Sequence, residues 1–554
     1  MTARQSGGWT GLGWVAAAAS LAACAAGTGK AGPTSEGEQS AGGAGLGGFD
    51  ASAGGEPRPR ICQVPPGHDD APVPACEQRA PAESFEPVVQ WTWTAPTTTS
   101  LLQGSLVTVL VGNFTDDDGN GAIDLCDVPD VLVTVVDEVA YVDGPAPALV
   151  TGHLQLLDGA TGAELLRFEG AVDALVTPAH GDIDGDGLVE VVTMADDGRL
   201  RAYEHDGSIA WNGATAGYRT THSSAQCSTV ALFDLDADGA VEIIAGFEVF
   251  DAEGQRSFGV PGNAAEFADA FWCVTPTAAD LTGDGRLEVL FGHQTYDHVG
   301  NLLWTLPAGE PPGHPHVANF DDDPEPEVFI TNPNGLWLLE GDGQIVHGPS
   351  RPTDPFPSRE CWGKPAVVHD FDGDGRADVA AATCSDYTVY RIDGAGFWPQ
   401  WSKGVTDDSG LATASAFDFL GDGIAEAIYA DEQSMYAFDG GQGETALQMP
   451  RSSGTLIEYP VVADVDDDAS AEIVFVSNYQ LGQPVGPTVT VVGDAQDRWI
   501  PSRRIWNQYS YSVTHVREDG SIPAVPKKSW ESFNTFRVNA QLESSGECVP
   551  DPPK

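Results

Sequence analysis

Short runs of alternating apolar and polar residues, each closing on an Asp-Gly or Gly-rich turn, recur from about Phe85 onward. "LQLLDGATG", "RLRAYEHDG", "GLWLLEGDG", "TVYRIDGAG" and "SMYAFDGGQG" all show this period-two pattern, which is the signature of a β-hairpin. Before each lies a β-rich run: "DVLVTV", "EVVTMA", "EIIAGF", "EVLFGH", "EVFITN", "DVAAAT", "EAIYAD" or "EIVFVS". Further upstream is a short apolar segment often opened by proline (Pro178, Pro276, Pro315, Pro365, Pro460), a residue tolerated at the start of a strand. A fourth, often Trp-bearing segment follows in several units ("SIAW", "NLLW", "PQW"). Helical periodicity is nearly absent, so the chain is expected to be all-β.

These four segments return together every 40 to 50 residues or so, and between the first and second of them stands an acidic loop. The loops read "DIDGDGLVE" from Asp182, "DLDADGAVE" from Asp234, "DLTGDGRLE" from Asp280, "NFDDDPEPE" from Asn319, "DFDGDGRAD" from Asp370, "DFLGDGIAE" from Asp418 and "DVDDDASAE" from Asp464, with a longer "DDDGNGAIDLCD" from Asp116. Four short strands per unit is the arithmetic of a β-propeller blade, a small sheet that buries its faces only against its neighbours around an axis. Eight loops predict about eight four-stranded blades, with seven and one aberrant unit as the alternative. "VVQWTW" from Val88 has no loop before it and is expected to pair into the last blade and close the ring.

Acids at alternate positions let a tightly curled loop aim several carboxylates at one centre, while a glycine takes the sharp turn and a ninth-position acid completes the shell. Hard oxygen donors in a flexible loop suit Ca²⁺ better than zinc or copper, and Mg²⁺ demands a stricter octahedron. The expected ligands are Asp182, Asp184, Asp186 and Glu190; Asp234, Asp236, Asp238 and Glu242; Asp280, Thr282, Asp284 and Glu288; Asn319, Asp321, Asp323 and Glu327. They continue with Asp370, Asp372, Asp374 and Asp378; Asp418, Asp422 and Glu426; Asp464, Asp466, Asp468 and Glu472. In the long loop Asp116, Asp118, Asn120, Asp124 and Asp127 fit the twelve-residue EF-type spacing without flanking helices. The loops are unequal: Thr282 weakens one, Pro324 and Ala469 replace the glycine, and Leu420 removes a ligand, so the Asp418 loop is expected to bind weakly or not at all.

The repeats resemble the FG-GAP/VCBS repeats of integrin-α-type propellers over about Leu106 to Val476, although the literal "FG…GAP" residues are missing. The resemblance implies structural Ca²⁺ in the loop between the first two strands of a blade, and scaffold more than catalysis. The tail "RWIPSRRIWNQYSYSVTHVREDGSIP" resembles the closing segment of bacterial FG-GAP repeat lipoproteins.

Composition agrees with a folded cation binder. Eighty-two acidic residues against 26 basic ones give a formal charge of −56, which makes nucleic acid an unlikely partner and couples folding to cations. Arg4, the apolar "GLGWVAAAASLAA" and Leu21-Ala22-Ala23-Cys24 read as a lipoprotein signal over residues 1–23 with lipidation at Cys24. Residues 24–60 read as a Gly/Ala/Ser-rich tether, 61–84 as a short cysteine-containing lead-in, 85–545 as the propeller with its closing segment, and 546–554 as a tail. The expectation is an exported, outer-membrane or cell-surface lipoprotein held to the membrane by its lipid alone. The eight remaining cysteines suit disulfides of an oxidising compartment; proximity favours Cys62 with Cys76 and Cys361 with Cys384, with other pairings open.

Two functions fit these features. One is a surface recognition or adhesion platform for a protein or glycan, in which Trp91, Trp93, Trp211, Trp304, Trp401, Trp499 and Trp506 either stack on sugars or, more in keeping with propellers, pack the blades. The other is a calcium-dependent polysaccharide lyase or another propeller enzyme, a quinone-dependent dehydrogenase among them, working at the central channel. Its base would come from His180, His314, His316, His369 or Lys364. No residue pair has the spacing of an acid/base couple and there is no GxSxG elbow. The basic cluster Arg498, Arg503, Arg504, Lys527 and Lys528 is expected to pair with the chain's own carboxylates.

Overall fold

The computed structural model describes residues 62, 73–81, 84–96, 104–140, 149–215, 225–260, 272–352, 362–383, 385–393, 396–407, 412–454, 456–478, 486–543 and 546–550. The expected signal peptide, tether and lipidation at Cys24 lie outside these residues, as does the expected Cys361–Cys384 pair.

The protein is all-β. Eight sheets share a core of four antiparallel strands, in sequence order in all but the last, and we number them I to VIII; Val172–Asp173 adds to sheet I, and Val176–Thr177 and Trp272–Val274 pair in parallel with the first strand of sheet III. Sheet I comprises Leu110–Gly112, Asp130–Ala140, Leu149–Asp158 and Glu164–Arg167; sheet II, Ala179–Gly181, Glu190–Met194, Arg199–Tyr203 and Ile209–Thr215. Sheet III starts with Ala225–Phe233 and Glu242–Ala245, sheet IV with Thr277–Ala279 and Glu288–Leu290, and sheet V with His314–Ala318 and Glu327–Asn332. Sheet VI starts with Val367–His369 and Asp378–Ala382, sheet VII with Ala414–Phe417 and Glu426–Ala430, and sheet VIII with Val461–Ala463 and Glu472–Val476. In every sheet the acidic loop connects the first two strands. Sheet VIII takes its fourth strand from the other end of the chain: Pro87–Trp93 pairs antiparallel with Val489–Asp494, as the "VVQWTW" pattern suggested.

Burial falls from the first strand to the fourth. Second strands such as Glu190–Met194 and Glu472–Val476 are buried throughout, whereas fourth strands such as Ile209–Thr215 and Leu302–Thr305 are largely half-buried or exposed. The tryptophans of those outer strands join neighbouring sheets. Trp304 Nε1 donates to Gly341 O of the next sheet at 3.1 Å, and Trp91 and Trp401 do the same with Gly159 and Gly440. Each indole also lies over a turn glycine with positive φ, Gly343 (+85°) under Trp304 and Gly443 (+66°) under Trp401, where a Cβ would sit 2.4 to 2.5 Å from the ring. A side chain there is excluded both by the backbone and by the tryptophan.

From Trp499 to Gln541 the chain meets the first strand of every sheet. Val111 and Trp506 exchange both backbone hydrogen bonds, His180 N donates to Asn507 O, and Val368 and Phe536 again exchange both. Leu232 N donates to Gln508 Oε1, Ser510 Oγ to Pro276 O, and Asn539 Nδ2 to Val462 O. Asn319 and Asn534 bond each other twice, and Ala416 bridges Val538. The segment is therefore bonded to all eight sheets. Its cations and the adjoining Arg498 pair with the chain's own acids as expected: Arg498 with Asp494 at 2.6 Å, Arg503 with Glu518 at 2.8 Å, Arg504 with Asp467 at 3.0 Å, and Lys528 with Asp280 at 3.8 Å.

Among the described residues three disulfides are present, which fits an oxidising, extracellular setting. Proximity was a poor guide to them: Cys62 joins Cys126, and Cys76 joins Cys548, while Cys227 joins Cys273. Cys76 finds its partner 472 residues away because Ala75–Cys76, Gly546–Pro550 and Gln541–Glu543 form a small sheet of their own. No helix among the described residues is long and apolar enough to cross a membrane.

Candidate metal sites in the acidic loops

A single hydrogen-bond plan builds the loops. The first carboxylate turns back on its own chain: Asp182 accepts from Gly185 N at 2.7 Å and Gly187 N at 3.1 Å, and Asp370 from Gly373 N at 2.8 Å and Gly375 N at 2.7 Å. The sixth residue is in the left-handed region wherever it is glycine, at +90° for Gly187 and +84° for Gly375, and the Asn319 loop has Pro324 there instead. Ala469, where glycine is lost, still adopts +69°, and its N–H still reaches Asp464 at 3.1 Å. The ninth-position acid opens the second strand and clamps the loop from beneath by accepting the N–H of the second residue. This bond recurs from Ile183 to Glu190 (2.9 Å), Leu235 to Glu242 (2.7 Å), Leu281 to Glu288 (2.8 Å) and Phe320 to Glu327 (2.6 Å). It recurs again from Phe371 to Asp378 (3.3 Å), Phe419 to Glu426 (3.2 Å) and Val465 to Glu472 (3.0 Å).

At three of these acids the plan leaves one oxygen over. Glu190 Oε1, Glu327 Oε1 and Glu472 Oε1 are buried without a hydrogen-bond partner, as are Asp464 Oδ1, Asp466 Oδ1 and Asp236 Oδ1. Carboxylate oxygens of Asp182, Asp184 and Glu190 lie within 4.8 Å of one another, and the same holds for Asp234, Asp236 and Glu242, for Asp321, Asp323 and Glu327, and for Asp116, Asp118 and Asp127. Buried, unpartnered anionic oxygens converging in this way are costly unless a cation joins them. The cost shows in the ionisation: burial, reinforced by the neighbouring aspartates, pushes Glu190 up to about 8 and Glu242 up to about 7. Burial does the same to Glu327 and Asp378, each up to about 8, and holds Glu426 and Glu472 well above the usual carboxylate range. An all-oxygen set of this kind fits Ca²⁺.

The long first loop holds two such arrangements: on the expected register Asp116 accepts from Asn120 N at 3.1 Å and Gly121 N at 2.9 Å, and Asn113 to Asp130 form a second one around it. Asp130 occupies the ninth-position role: it opens the second strand of sheet I and its Oδ2 accepts from Phe114 N at 3.0 Å. Its Oδ1 is buried without a partner, and burial pushes it up to about 8. Asn113 stands where Asn319 stands in sheet V. The pair was discoverable, since "NF" opens both loops and Asp130 precedes "VLVTV" as Glu190 precedes "VVTM". The Asp116, Asp118 and Asp127 group belongs to the insertion between them, in which Asp127 accepts from Asp117 N at 2.8 Å and Asp124 N at 2.8 Å. Asn120 and Asp124 accept from Ala122 N at 2.7 Å and Cys126 N at 2.9 Å, the same bond that Asp186 makes with Leu188 N at 2.9 Å. Two glutamines of outer strands were also missed: Gln400 Nε2 lies 2.9 Å from Asp372 and 3.1 Å from Asp378, and Gln90 Nε2 lies 3.5 Å from Asp466.

The Asp418 loop has another task. Leu420 O accepts from Ala80 N of the lead-in at 2.9 Å, Phe419 O accepts from Ile500 N at 3.0 Å, and Phe419 packs between Phe85 and Trp499. Where a third-position ligand is lost, a docking point for both ends of the chain is gained.

The candidate catalytic histidines are engaged in the core. His180 Nε2 donates to Val111 O at 2.9 Å, His316 Nδ1 to Phe329 O at 3.2 Å, and His314 bonds Thr275 at 2.7 Å; all three are buried. Burial lowers His180 to about 4 and His314 to about 3. His369 is half-buried and donates to Asp370 O at 2.9 Å.

An FG-GAP-like repeat model matches residues 182–245 and 370–429, which contain four of the loops. The chain thus carries FG-GAP-like repeats. No curated protein sequence matches it. Among solved structures, the V. cholerae biofilm matrix protein Bap1 is similar with a TM-score of 0.67 at 21% identity, covering 84% of this chain and 100% of that one. The rhamnogalacturonan lyase YesW (TM-score 0.51, 16% identity) and the exotype rhamnogalacturonan lyase YesX (0.51, 15%) each cover 84% of this chain and 83% of their own. At these identities the likeness is one of fold, all-β and of propeller type.

Proposed function

We propose that the chain is an exported, eight-bladed calcium-binding propeller that serves as a lipid-anchored surface platform for recognising a protein or glycan. In this reading each of the eight sheets is a blade and Pro87–Trp93 closes the ring by completing the last. Ca²⁺ joins the loops' carboxylates and stiffens the join between the first two strands of each blade except the one that carries the Asp418 loop. The observation that carries the metal reading is the set of buried carboxylate oxygens without partners at Asp130, Glu190, Glu327 and Glu472. Cys24 would carry the lipid.

For the role, the decisive feature is the filled axis. The segment from Trp499 to Gln541 occupies the space that the first strands surround, and the histidines beside it are buried in hydrogen bonds. Ligands are then met on the loop faces and the outer rim, as suits a binding scaffold. A biofilm matrix protein with the same fold is in keeping with this role; the lyase reading would need a base from elsewhere than His180, His314 or His316. The test is a binding screen of the whole protein against surface polysaccharides and surface proteins, with calcium and with chelator, alongside a lyase assay on uronate polymers. Calcium-dependent retention without cleavage is expected. Depolymerisation, or no retention on any surface, would overturn the platform.

A further inference from the structure

At the rim, where sheet VIII meets sheet I, a cleft of about 420 Å³ is lined by Pro96, Asp137, His153, Glu164, Leu165 and Arg167, among others. Small-molecule sites are about 300 to 1,000 Å³. Its polar wall is organised around one carboxylate: Asp137 Oδ2 lies 2.9 Å from His153 Nδ1 and 3.1 Å from Arg167 Nη2. With Nδ1–H committed to Asp137, His153 Nε2 is the ring's acceptor, and it has no hydrogen-bond partner among the described residues. Burial, the largest influence on His153, lowers its pKa and keeps the ring neutral. Glu164 gives Oε1 to the indole N–H of Trp93 at 2.9 Å, which fixes the carboxylate and leaves Oε2 over. Arg167 is more than half exposed and has donors to spare beyond Asp137. Pro96 and Leu165, the latter 39% exposed, supply the apolar wall.

We propose that this cleft is a carbohydrate subsite that takes a neutral sugar ring. The inference rests on the recognition reading above and names the ligand class for one place on the rim. A sugar offers what the cleft can use: hydroxyl hydrogens for His153 Nε2 and Glu164, hydroxyl oxygens for Arg167, and a C–H face for Pro96 and Leu165. Two carboxylates against one guanidinium leave the cleft net negative in a chain of formal charge −56, which disfavours a uronate or phosphate. A metal is disfavoured too, because the one imidazole is already oriented by Asp137 and a paired guanidinium stands beside it.

The test uses methyl glycosides of glucose, galactose and mannose and the matching uronates, with saturation-transfer NMR and calorimetry on the calcium-loaded full chain. At least one neutral glycoside is expected to bind, and Arg167→Ala and Glu164→Gln to weaken it about tenfold with the melting temperature unchanged. Both side chains are exposed enough for the fold to survive. The subsite is overturned if no neutral glycoside binds at about 10 mM, if uronates bind as well or better, or if the variants bind like the wild type. Retention of the whole protein on surface polysaccharide that is untouched by these variants would sink the cleft and leave the platform standing, whereas a wild type retained on no surface would sink the platform itself.

Discussion

Replacing Glu190 with glutamine separates the metal account from a purely structural one. In the wild type, Glu190 accepts from Ile183 N and leaves Oε1 buried and unpaired beside Asp182 and Asp184. Glutamine keeps the shape and the acceptor for Ile183, but removes the charge and the ligand. In chelator the variant is expected to be at least as stable as the wild type around this loop, since an uncompensated buried anion has gone. In calcium at a hundredfold excess over the site's dissociation constant, the wild type gains about 2.7 kcal/mol and the variant nothing from this loop. That difference is about a hundredfold in the local opening constant. Eight repeats do not promise a single unfolding step, so the assay is hydrogen exchange of the Glu190–Met194 strand, read by mass spectrometry with and without calcium. Wild-type exchange should slow about a hundredfold on adding calcium while that of Glu190→Gln stays put. If both slow equally, or neither does, the reasoning from the orphaned oxygen is wrong.

Other outcomes follow from the same structure. Glu426→Gln, in the loop where Leu420 holds the lead-in, should leave the calcium response unchanged, as measured by the calcium-induced shift in melting temperature. Asp130→Asn should weaken the first loop as Glu190→Gln weakens the second, a result that the Asp116-based register does not anticipate. Trp401→Ala should cost about 3 to 5 kcal/mol in urea unfolding, through lost packing on Gly443 and the lost bond to Gly440. Acid should weaken the fold through its buried histidines. His515, lowered to about 4 by burial, and His314, lowered to about 3, bind protons more readily unfolded (about 6.5) than folded. Their contribution is therefore complete above pH ~6.5 and falls by about 1.4 kcal/mol per histidine per pH unit below it. His515→Gln should flatten the dependence of the urea midpoint between pH 6.5 and 5.

The repeat was legible because each unit carries its own signals. Alternation marked the third strands, the ninth-position acids marked the starts of second strands from Glu190 to Glu472, and the lone "VVQWTW" marked the strand that completes sheet VIII. What escaped depends on contacts between units. Cys76 pairs with Cys548 because the chain's two ends meet in a small sheet, and nothing local to Cys76 distinguishes that partner from nearby Cys62. The insertion in the first loop hid Asn113 and Asp130 behind a denser run of acids, so spacing selected Asp116. The burial of His180 and His316 follows from the Trp499–Gln541 segment, whose alternation is weak and whose bonds go to eight different sheets. The His153–Asp137–Arg167 cleft joins three strands of sheet I, and no motif spacing links them.

The most direct test of the account is anomalous diffraction from crystals of the full chain grown with calcium. Peaks are predicted at the centres of the loops headed by Asp182, Asp234 and Asp464, against the orphaned oxygens, and at the complete Asp370 loop, and none at the Asp418 loop. Loops free of any anomalous peak under those conditions would contradict it.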